Sequence, residues 1–285
     1  WMSVFHSISA FCNAGFDILG TTDHTFVSLT GYSRNIWLNI VIMLLIILGG
    51  IGFLTWEDFY TNKFKFKRYR MQSKVILITT AILIIAPAVF FFACDFGNLP
   101  AGKRLLASVF QSVTTRTAGF NTEDLSLMTE AGKAVMILLM LIGGSPSSTA
   151  GGMKTTSFAV LILNALATFR SREDAGAFGR RFDGQVVKNA ATIAMMYFML
   201  FFFGGITISV YEGLPLLTCL YEAASAVGTV GLTLGITPEL HIISRLILIA
   251  LMYLGRVGGM TLIYAVFSRK NNNGAKMPLE KITVG

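Results

Sequence analysis

The chain has 285 residues, of which 54% are hydrophobic and 13% are charged, and this charged share is roughly half the ~25% of a typical soluble domain. With a mean hydropathy of +0.66, the composition excludes an ordinary water-soluble domain and indicates an integral membrane protein. The net charge of +8 comes from basic stretches between apolar segments, which indicates membrane topology rather than binding to nucleic acid.

The chain begins at Trp1, without an initiator Met and without the charged and apolar regions of a signal peptide. We therefore expect it to begin inside a longer protein. Its three cysteines and three histidines are widely scattered, so neither a disulfide framework nor a metal-binding cluster is predicted. No covalent cofactor is expected.

Several apolar stretches are long enough to cross ~30 Å of hydrocarbon at ~1.5 Å per helical residue. They lie at residues 36–53, 75–94, 135–153 with a continuation over 155–169, 190–211 and 246–267. Gly49, Gly50 and Gly52 interrupt the first stretch. Close helix packing and pore lining explain these glycines equally well.

Basic residues between the spans predict the orientation of the chain. Fifteen of the 23 lie at Lys63, Lys65, Lys67, Arg68, Arg70, Lys74, Arg170, Arg172, Arg180, Arg181, Lys188, Arg269, Lys270, Lys276 and Lys281. By the positive-inside rule these segments are cytoplasmic. The other connections are then outside and carry Asp17, Asp23, Glu123, Asp124, Glu130 and Glu239. These acidic residues either raise the local cation concentration or only form a solvated surface.

Three further stretches, at residues 3–16, 105–120 and 217–232, each contain about ten helix-compatible residues followed by a short loop. Ten helical residues rise only ~15 Å, about half the hydrocarbon core. Each stretch lies on the outer side between two spans. We therefore predict that each enters the membrane from outside and turns back.

The three loops end in similar sequences, whose glycines Gly15, Gly119 and Gly231 are 104 and 112 residues apart. This spacing predicts a repeated span–loop–span unit. Irregular backbone at membrane depth survives only where it lines a water-filled path or is buried in protein. A ring of loop carbonyls can replace the hydration shell of a monovalent cation. The predicted filter residues are Asn13, Ala14, Gly15, Phe16, Thr117, Ala118, Gly119, Phe120, Thr229, Val230, Gly231 and Leu232.

The last of these loops predicts the ion. Thr229-Val230-Gly231 reproduces the Thr-Val-Gly core of the potassium-channel filter, so K⁺ is the predicted ion at the filter carbonyls. One three-residue match is weak, but three similar loops at one period are a strong indication. The alternative is that the glycines only allow helices to pack closely.

The span over 135–153 is interrupted by glycines, a proline and hydroxyl residues. Because Pro146 removes a backbone donor and glycine weakens a helix, we predict a flexible gate loop beneath the filter. The predicted gate residues are Gly143, Gly144, Ser145, Pro146, Ser147, Ser148, Thr149, Ala150, Gly151, Gly152, Lys154 and Arg256. The alternative is a kinked helix without a gating role. A Walker A phosphate loop is excluded because Met153 separates Gly152 from Lys154 and no strand precedes it.

Arg256 lies within the apolar stretch 246–267, where a charge costs about 2.5–3.5 kcal/mol on insertion scales. It is therefore expected to face the interior of the helix bundle. Three roles fit: bonding carbonyls of the gate loop, forming a positive barrier below the filter, or anchoring one helix to another.

Residues 5–16 and 111–120 resemble the pore loops of the Trk/Ktr/HKT potassium transporters, and residues 143–155 resemble that family's intramembrane gating loop. The chain is most similar to the membrane subunit of bacterial Ktr uptake systems. The resemblance implies an all-α integral membrane fold, with four repeats around a central pore and the first repeat absent here. On this basis, residues 1–62 form the second repeat, 63–169 the third repeat with the gate, and 170–285 the fourth repeat with a short cytoplasmic tail.

The same resemblance implies K⁺ uptake across a cell membrane through a selective, gated pore, with Na⁺ left open as an activator. An arginine at the position of Arg256 in that family favours its role at the gate. The resemblance also implies a homodimer with a cytosolic nucleotide-binding ring of the RCK type. The basic stretches 63–74 and 170–188 lie where such a ring would dock, or else they fix topology or attract anionic lipid.

Two other function classes, an intramembrane enzyme and a non-conducting anchor or sensor, fit the sequence less well. An intramembrane enzyme would need a Ser-His pair, paired aspartates or a His-Glu metal motif within the spans, and the spans contain none. A non-conducting anchor or sensor would not explain three filter-like loops. A cation pathway with poor K⁺/Na⁺ selectivity stays open as an alternative.

Overall fold

The computed structural model describes residues 1–21, 27–172 and 174–258, and these are mainly helical. The elements in chain order are α1 (Met2–Phe11), α2 (Ile36–Gly50), α3 (Phe53–Asn62), α4 (Met71–Cys94), α5 (Ala101–Thr114), α6 (Glu130–Leu141), α7 (Thr155–Phe169), β1 (Gly176–Ala177), β2 (Arg180–Arg181), α8 (Gly184–Glu212), α9 (Leu216–Val227) and α10 (Ile242–Val257). The predicted all-α membrane fold is therefore present, with one small two-stranded ribbon added to it.

Within the described ranges, two unbroken helices, α4 with 24 residues and α8 with 29, are long and apolar enough to cross a membrane. The stretch predicted as a span over 36–53 ends earlier, because α2 stops at Gly50 and the chain bends by 95° into α3. Gly52 has a φ of +86° and lies so close to the carbonyl oxygen of Pro146 that a side chain would collide with it. The glycines of this span therefore serve a close backbone approach as well as a turn.

The stretch predicted over 135–169 is two helices. The first, α6, begins at Glu130, where the Thr129 hydroxyl caps it by accepting from Gly132 N at 3.0 Å. It ends at Leu141, and α7 begins only at Thr155. The last helix, α10, is described to Val257. The predicted continuation to residue 267 and the basic tail lie outside the described residues.

Three short helices, α1, α5 and α9, have 10, 14 and 12 residues and are each followed by an irregular loop. Pro100 and Pro215 precede α5 and α9 with φ near −56° and −55°, which suits the start of a helix. The order of long helix, short helix, loop and returning helix matches the predicted span–loop–span pattern. The division of the chain at residues 62 and 169 stays a prediction.

The apolar core surrounds the short helices. One cluster joins α4, α6, α8 and α9 and includes Phe91, Met136 and Tyr221, each with 0% of its surface exposed. A second cluster joins α1, α2 and α5 around Phe110 and Phe120. The spans therefore enclose the short helices on their core-facing sides and hold their C-terminal ends towards a common centre.

The basic stretches 63–74 and 170–188 meet at one surface. The ribbon pairs Gly176 with Arg181 and Ala177 with Arg180, across a turn in which Phe178 and Gly179 both have positive φ. Lys74 Nζ lies 5.6 Å from the centre of the Phe178 ring. This ribbon was not predicted, because its strands are only two residues long.

Asp58 joins α3 to α4. Its carboxylate is buried and accepts from the Ser73 hydroxyl at 2.6 Å and from Arg70 N at 3.0 Å. The neighbouring Glu57 forms an exposed ion pair with Arg70 at 3.0 Å. The two acidic residues on one helix thus differ in burial but share a partner.

We expect Asp58→Ala to lower the melting temperature of the detergent-solubilised protein by several degrees, because each buried donor left unpaired costs about 1–3 kcal/mol. Glu57→Ala is the matched control, with an expected loss within about 1 kcal/mol because its ion pair is exposed. Thermal unfolding of both variants checks this. Equal losses would show that burial of Asp58 does not decide the stability of the α3–α4 junction.

Candidate functional site

The three loops after the short helices share one backbone conformation. Asn13, Thr117 and Thr229 have φ of +50°, +62° and +55°, although none is glycine. Two residues later, Gly15, Gly119 and Gly231 have φ of +71°, +84° and +92°. Positive φ is uncommon outside glycine, so its repetition at matching positions shows that the loops are structural copies of one another.

Each loop is held by hydrogen bonds that its own N–H groups donate to the preceding short helix. Ala14 N donates to Ser9 O at 2.9 Å, and Val230 N donates to Ser225 O at 2.8 Å. In the middle copy Ala118 N donates to Thr114 O at 3.0 Å. The loop donors therefore point back into the protein, where the last turn of each helix accepts them.

The loop carbonyls are free instead. Within the described ranges, the carbonyl oxygens of residues 13–15, 117–119 and 229–231 accept no hydrogen bond. A carbonyl without a partner is costly in a protein interior or in lipid. Three matching sets of free carbonyls are therefore suited to coordinating a cation that has lost its water.

The glycines bring the loops into contact with each other. A side chain at Gly15 would collide with the carbonyl oxygen of Ala118, and one at Gly119 would collide with that of Val230. A Cβ added at Gly231 would instead be 3.9 Å from the Cα of Gly119. The loops thus lie side by side in chain order and bring the predicted filter residues together. The carbonyl oxygens of Phe16 and Phe120 were also predicted as ligands, but they accept from the hydroxyls of Ser9 and Thr114 and are not free.

A wide cavity of about 1320 Å³ opens on one side of the loops, with the three glycines at its base. Asp17, Glu123 and Asp124 are among its lining residues. Glu123 is paired with Lys103 at 2.9 Å, so its charge is partly balanced. Of the other acidic residues predicted outside, Glu130 and Glu239 do not line this cavity, and Asp23 lies outside the described residues.

All the predicted gate residues except Arg256, which lies on α10, belong to a compact segment over 142–154 on the other side of the loops. Gly143 N donates to Met153 O at 2.8 Å, and Thr155 N donates to Gly144 O at 3.0 Å, so the segment closes on itself between α6 and α7. A side chain at Gly151 would collide with the Thr229 hydroxyl. The segment therefore packs directly against the third loop.

Thr149 links this segment to the first loop. Its hydroxyl lies 2.9 Å from Asn13 Oδ1, 3.1 Å from Phe11 O and 3.2 Å from Gly49 O. Asn13 Nδ2 in turn donates to Arg116 O at 3.2 Å. One amide side chain therefore contacts both the gate segment and the neighbouring loop.

Two cations hold the tip of the gate segment. Arg256 Nη1 donates to Thr149 O at 2.9 Å, and Lys154 Nζ donates to Ala150 O at 2.7 Å. The Tyr197 hydroxyl donates to Gly255 O at 3.0 Å and so satisfies a carbonyl in the last turn of α10, beside Arg256. The contact with Thr149 is one of the three expected for Arg256, whereas its part in gating stays a prediction.

Sequence reasoning missed two side chains at this site. Asn13 was predicted only for its carbonyl, although asparagine is the residue type that most readily adopts positive φ besides glycine. Tyr197 was treated as part of an apolar span. Tyr197 is one of five hydroxyl residues within 190–211, so its type alone gives little signal.

The chain matches, over residues 1–274, the family model described as TrkH, cation transport protein. It is 39% identical over 296 residues to the potassium/sodium uptake protein NtpJ of Enterococcus hirae, an alignment that covers 100% of this chain and 64% of that protein. It is 34% identical over 289 residues to the Ktr system potassium uptake protein B of Bacillus subtilis, covering 99% of this chain and 63% of that protein. The chain thus spans less than two thirds of these relatives.

Among solved structures, the potassium transporter TrkH from Vibrio parahaemolyticus matches with a TM-score of 0.76 at 18% identity. The match covers 93% of this chain and 58% of that one, and it shows that the two share a fold. The resemblance predicted from the pore-loop and gate motifs is confirmed, and the chain is a multi-pass membrane protein. By its sequence match over residues 1–274, it belongs to the TrkH family of cation transport proteins.

Proposed function

We propose that this chain forms most of a K⁺-selective, gated pore through which potassium enters a cell. The observation that carries this proposal is the set of free carbonyls at residues 13–15, 117–119 and 229–231, held side by side by three glycines. A dehydrated K⁺ needs several oxygen ligands at once, and neighbouring loops with free carbonyls can supply them. The names of the relatives, which include potassium and potassium/sodium uptake, support the same ion.

In this proposal the loops form three quarters of a selective ring. Residues 1–62, 63–169 and 170–285 are then three of four repeats around the pore, although part of the last range lies outside the described residues. The short helices α1, α5 and α9 direct their negative C-terminal ends at the ring. A cation at the ring is stabilised both by the carbonyls and by these helix ends.

The gate in this proposal is the segment over 142–154. It packs against Thr229 and contacts Asn13, so it lies across the way out of the ring. Arg256 and Lys154 hold its tip carbonyls. For ions to pass, the segment must move and exchange these hydrogen bonds for others.

The proposal extends to a second ion and to partner proteins. The relative in Enterococcus hirae is named for both potassium and sodium uptake, which favours Na⁺ as a second ion or a less selective pore as the alternative function. The relatives named as Ktr system proteins favour a multi-component system. We propose a homodimer, with a nucleotide-binding ring at the basic surface where the stretches 63–74 and 170–188 meet.

The proposal is tested by reconstituting the intact transporter in liposomes and following K⁺ uptake. K⁺ uptake that depends on the protein is expected, because free carbonyls at the ring lower the cost of dehydrating the ion. Liposomes that contain the protein but take up no more K⁺ than empty liposomes would overturn the proposed function.

Gly119→Ser is expected to reduce K⁺ uptake at least about tenfold, because the added side chain collides with the carbonyl of Val230 and positive φ costs non-glycine residues about 1–2 kcal/mol. Gly102→Ser is the control, since a Cβ at Gly102 meets nothing within 4 Å. Initial uptake rates of both variants, normalised to the amount of protein, decide the question. Similar rates in the two variants would argue against a ring at Gly119.

Gly231→Ser tests selectivity rather than assembly of the loops. A Cβ at Gly231 has 3.9 Å to its nearest neighbour, so the variant is expected to fold, but φ of +92° strains the loop. The ratio of K⁺ to Na⁺ uptake is expected to fall, because displaced carbonyls no longer fit K⁺. An unchanged ratio would show that Gly231 does not form part of the filter.

Thr149→Val tests the gate. The change keeps the side-chain volume and the carbonyl that accepts from Arg256, but it removes the hydroxyl beside Asn13. We expect K⁺ uptake to rise about 2–10-fold, because one hydrogen bond holding the closed segment is worth about 0.5–1.5 kcal/mol. Thr156→Val, in the first turn of α7, is the control. Equal or lower uptake in Thr149→Val would mean that this contact does not hold the gate shut.

A further inference from the structure

Glu222 is a buried acidic residue for which the proposed pore has no assigned role. It lies on α9, one and a half turns before the third loop, with 4% of its surface exposed. Oε1 accepts from the Thr233 hydroxyl at 2.7 Å and from Leu234 N at 2.9 Å. Oε2 accepts from the Thr237 hydroxyl at 2.7 Å. Three hydrogen-bond donors therefore lie within 2.9 Å of its two carboxylate oxygens.

The charge of Glu222 has no protein cation beside it. Within residues 1–21, 27–172 and 174–258, no Lys, Arg or His nitrogen lies within 4 Å of its carboxylate. Burying an unpaired charge is costly even when hydrogen bonds offset part of the cost. A neutral amide at this position would keep one acceptor oxygen and lose the charge.

Two of the three donors to Glu222 belong to the wall of the proposed ion pathway. Thr233 and Leu234 directly follow the third loop and line the wide cavity above the glycines. Gly231 N also donates to the Ser225 hydroxyl, one turn along the same face of α9. The carboxylate thus lies immediately behind the backbone that a cation meets as it moves from the cavity to the loop.

The other two copies lack this charge. Counting back from the loop glycines, the positions that correspond to Glu222 are His6 and Phe110. The His6 ring bonds to Met2 O at 2.7 Å within its own helix, and Phe110 is part of the apolar core. Among the three described loops, this helix position is therefore acidic only in the copy that ends in Thr229-Val230-Gly231.

We propose that the Glu222 carboxylate determines the affinity of the pore for K⁺, as a fixed negative charge behind the third loop that is balanced by the permeant cation. This inference rests on the proposed function, because it assigns a partner of stated chemistry, a monovalent cation, to the same pathway. Since Glu222 is shielded from solvent, its attraction for a cation at the loop is screened little by bulk salt.

The test compares variants that remove the charge with variants that keep it. Glu222→Gln keeps the size and one acceptor oxygen but cannot carry a charge, and we expect it to raise the KM for K⁺ uptake roughly five- to twentyfold. Thr237→Val removes one hydrogen bond but keeps the carboxylate, and its KM is expected to stay within about twofold of the wild type. Glu239→Gln removes an exposed carboxylate from the same outer segment and is expected to leave KM unchanged.

The outcomes separate the inference from the proposed function. A wild-type protein without K⁺ uptake overturns the proposed function. Normal wild-type uptake with an unchanged KM in Glu222→Gln overturns this inference alone. A KM increase in Thr237→Val as large as that in Glu222→Gln also overturns it, because lost support of the loop would then explain both increases. If Glu222→Gln does not give a monodisperse protein, Glu222→Asp decides instead. It keeps the charge, so KM within about threefold of the wild type supports the inference, and a tenfold rise overturns it.

Discussion

The structure depends on one constraint: backbone that leaves a helix inside a membrane must find partners for its polar groups. The three return loops meet this constraint differently for their N–H groups and for their carbonyls. Their N–H groups donate to the helices that precede them, while the carbonyls of residues 13–15, 117–119 and 229–231 stay free. The short helices, the glycines that allow the loops to touch and the spans that enclose them all follow from this division. In the proposed pore, a passing cation supplies the partner that neither lipid nor protein provides.

Much of the fold was predictable because the signals are local. A run of about twenty apolar residues predicts a span, a run half as long predicts a re-entrant helix, and the glycines of three similar loops predict the repeat. The bend after Gly50 was not predicted, although its glycines were visible, because the cause is a distant carbonyl at Pro146. The break after α6 was predicted from its glycines and proline, but hydropathy does not register the hydrogen bonds that join residues 142–154 to one another across a turn.

In the candidate site, too, the residue types were predictable from the sequence but their long-range contacts were not. The predicted filter and gate residues stood out by type, since glycine, proline and a charge are unusual inside an apolar span. The contacts between them did not stand out. The hydrogen bond between Thr149 and Asn13 joins residues 136 positions apart, and that between Tyr197 and Gly255 joins residues 58 positions apart. In each pair, no property of one residue alone indicates its partner.

The wide cavity above the glycines has a consequence for how voltage acts on the pore. Water in a space of about 1320 Å³ conducts ions almost as bulk solution does, so little of the membrane potential drops across it. The potential falls instead across the short stretch from Gly231 to the segment held by Arg256. In the proposed pore, an ion crossing that stretch traverses most of the electric field. Lys154 and Arg256, which bond to the tip of the proposed gate, lie within the same field. Membrane voltage therefore acts on the ion and on the gate at the same place.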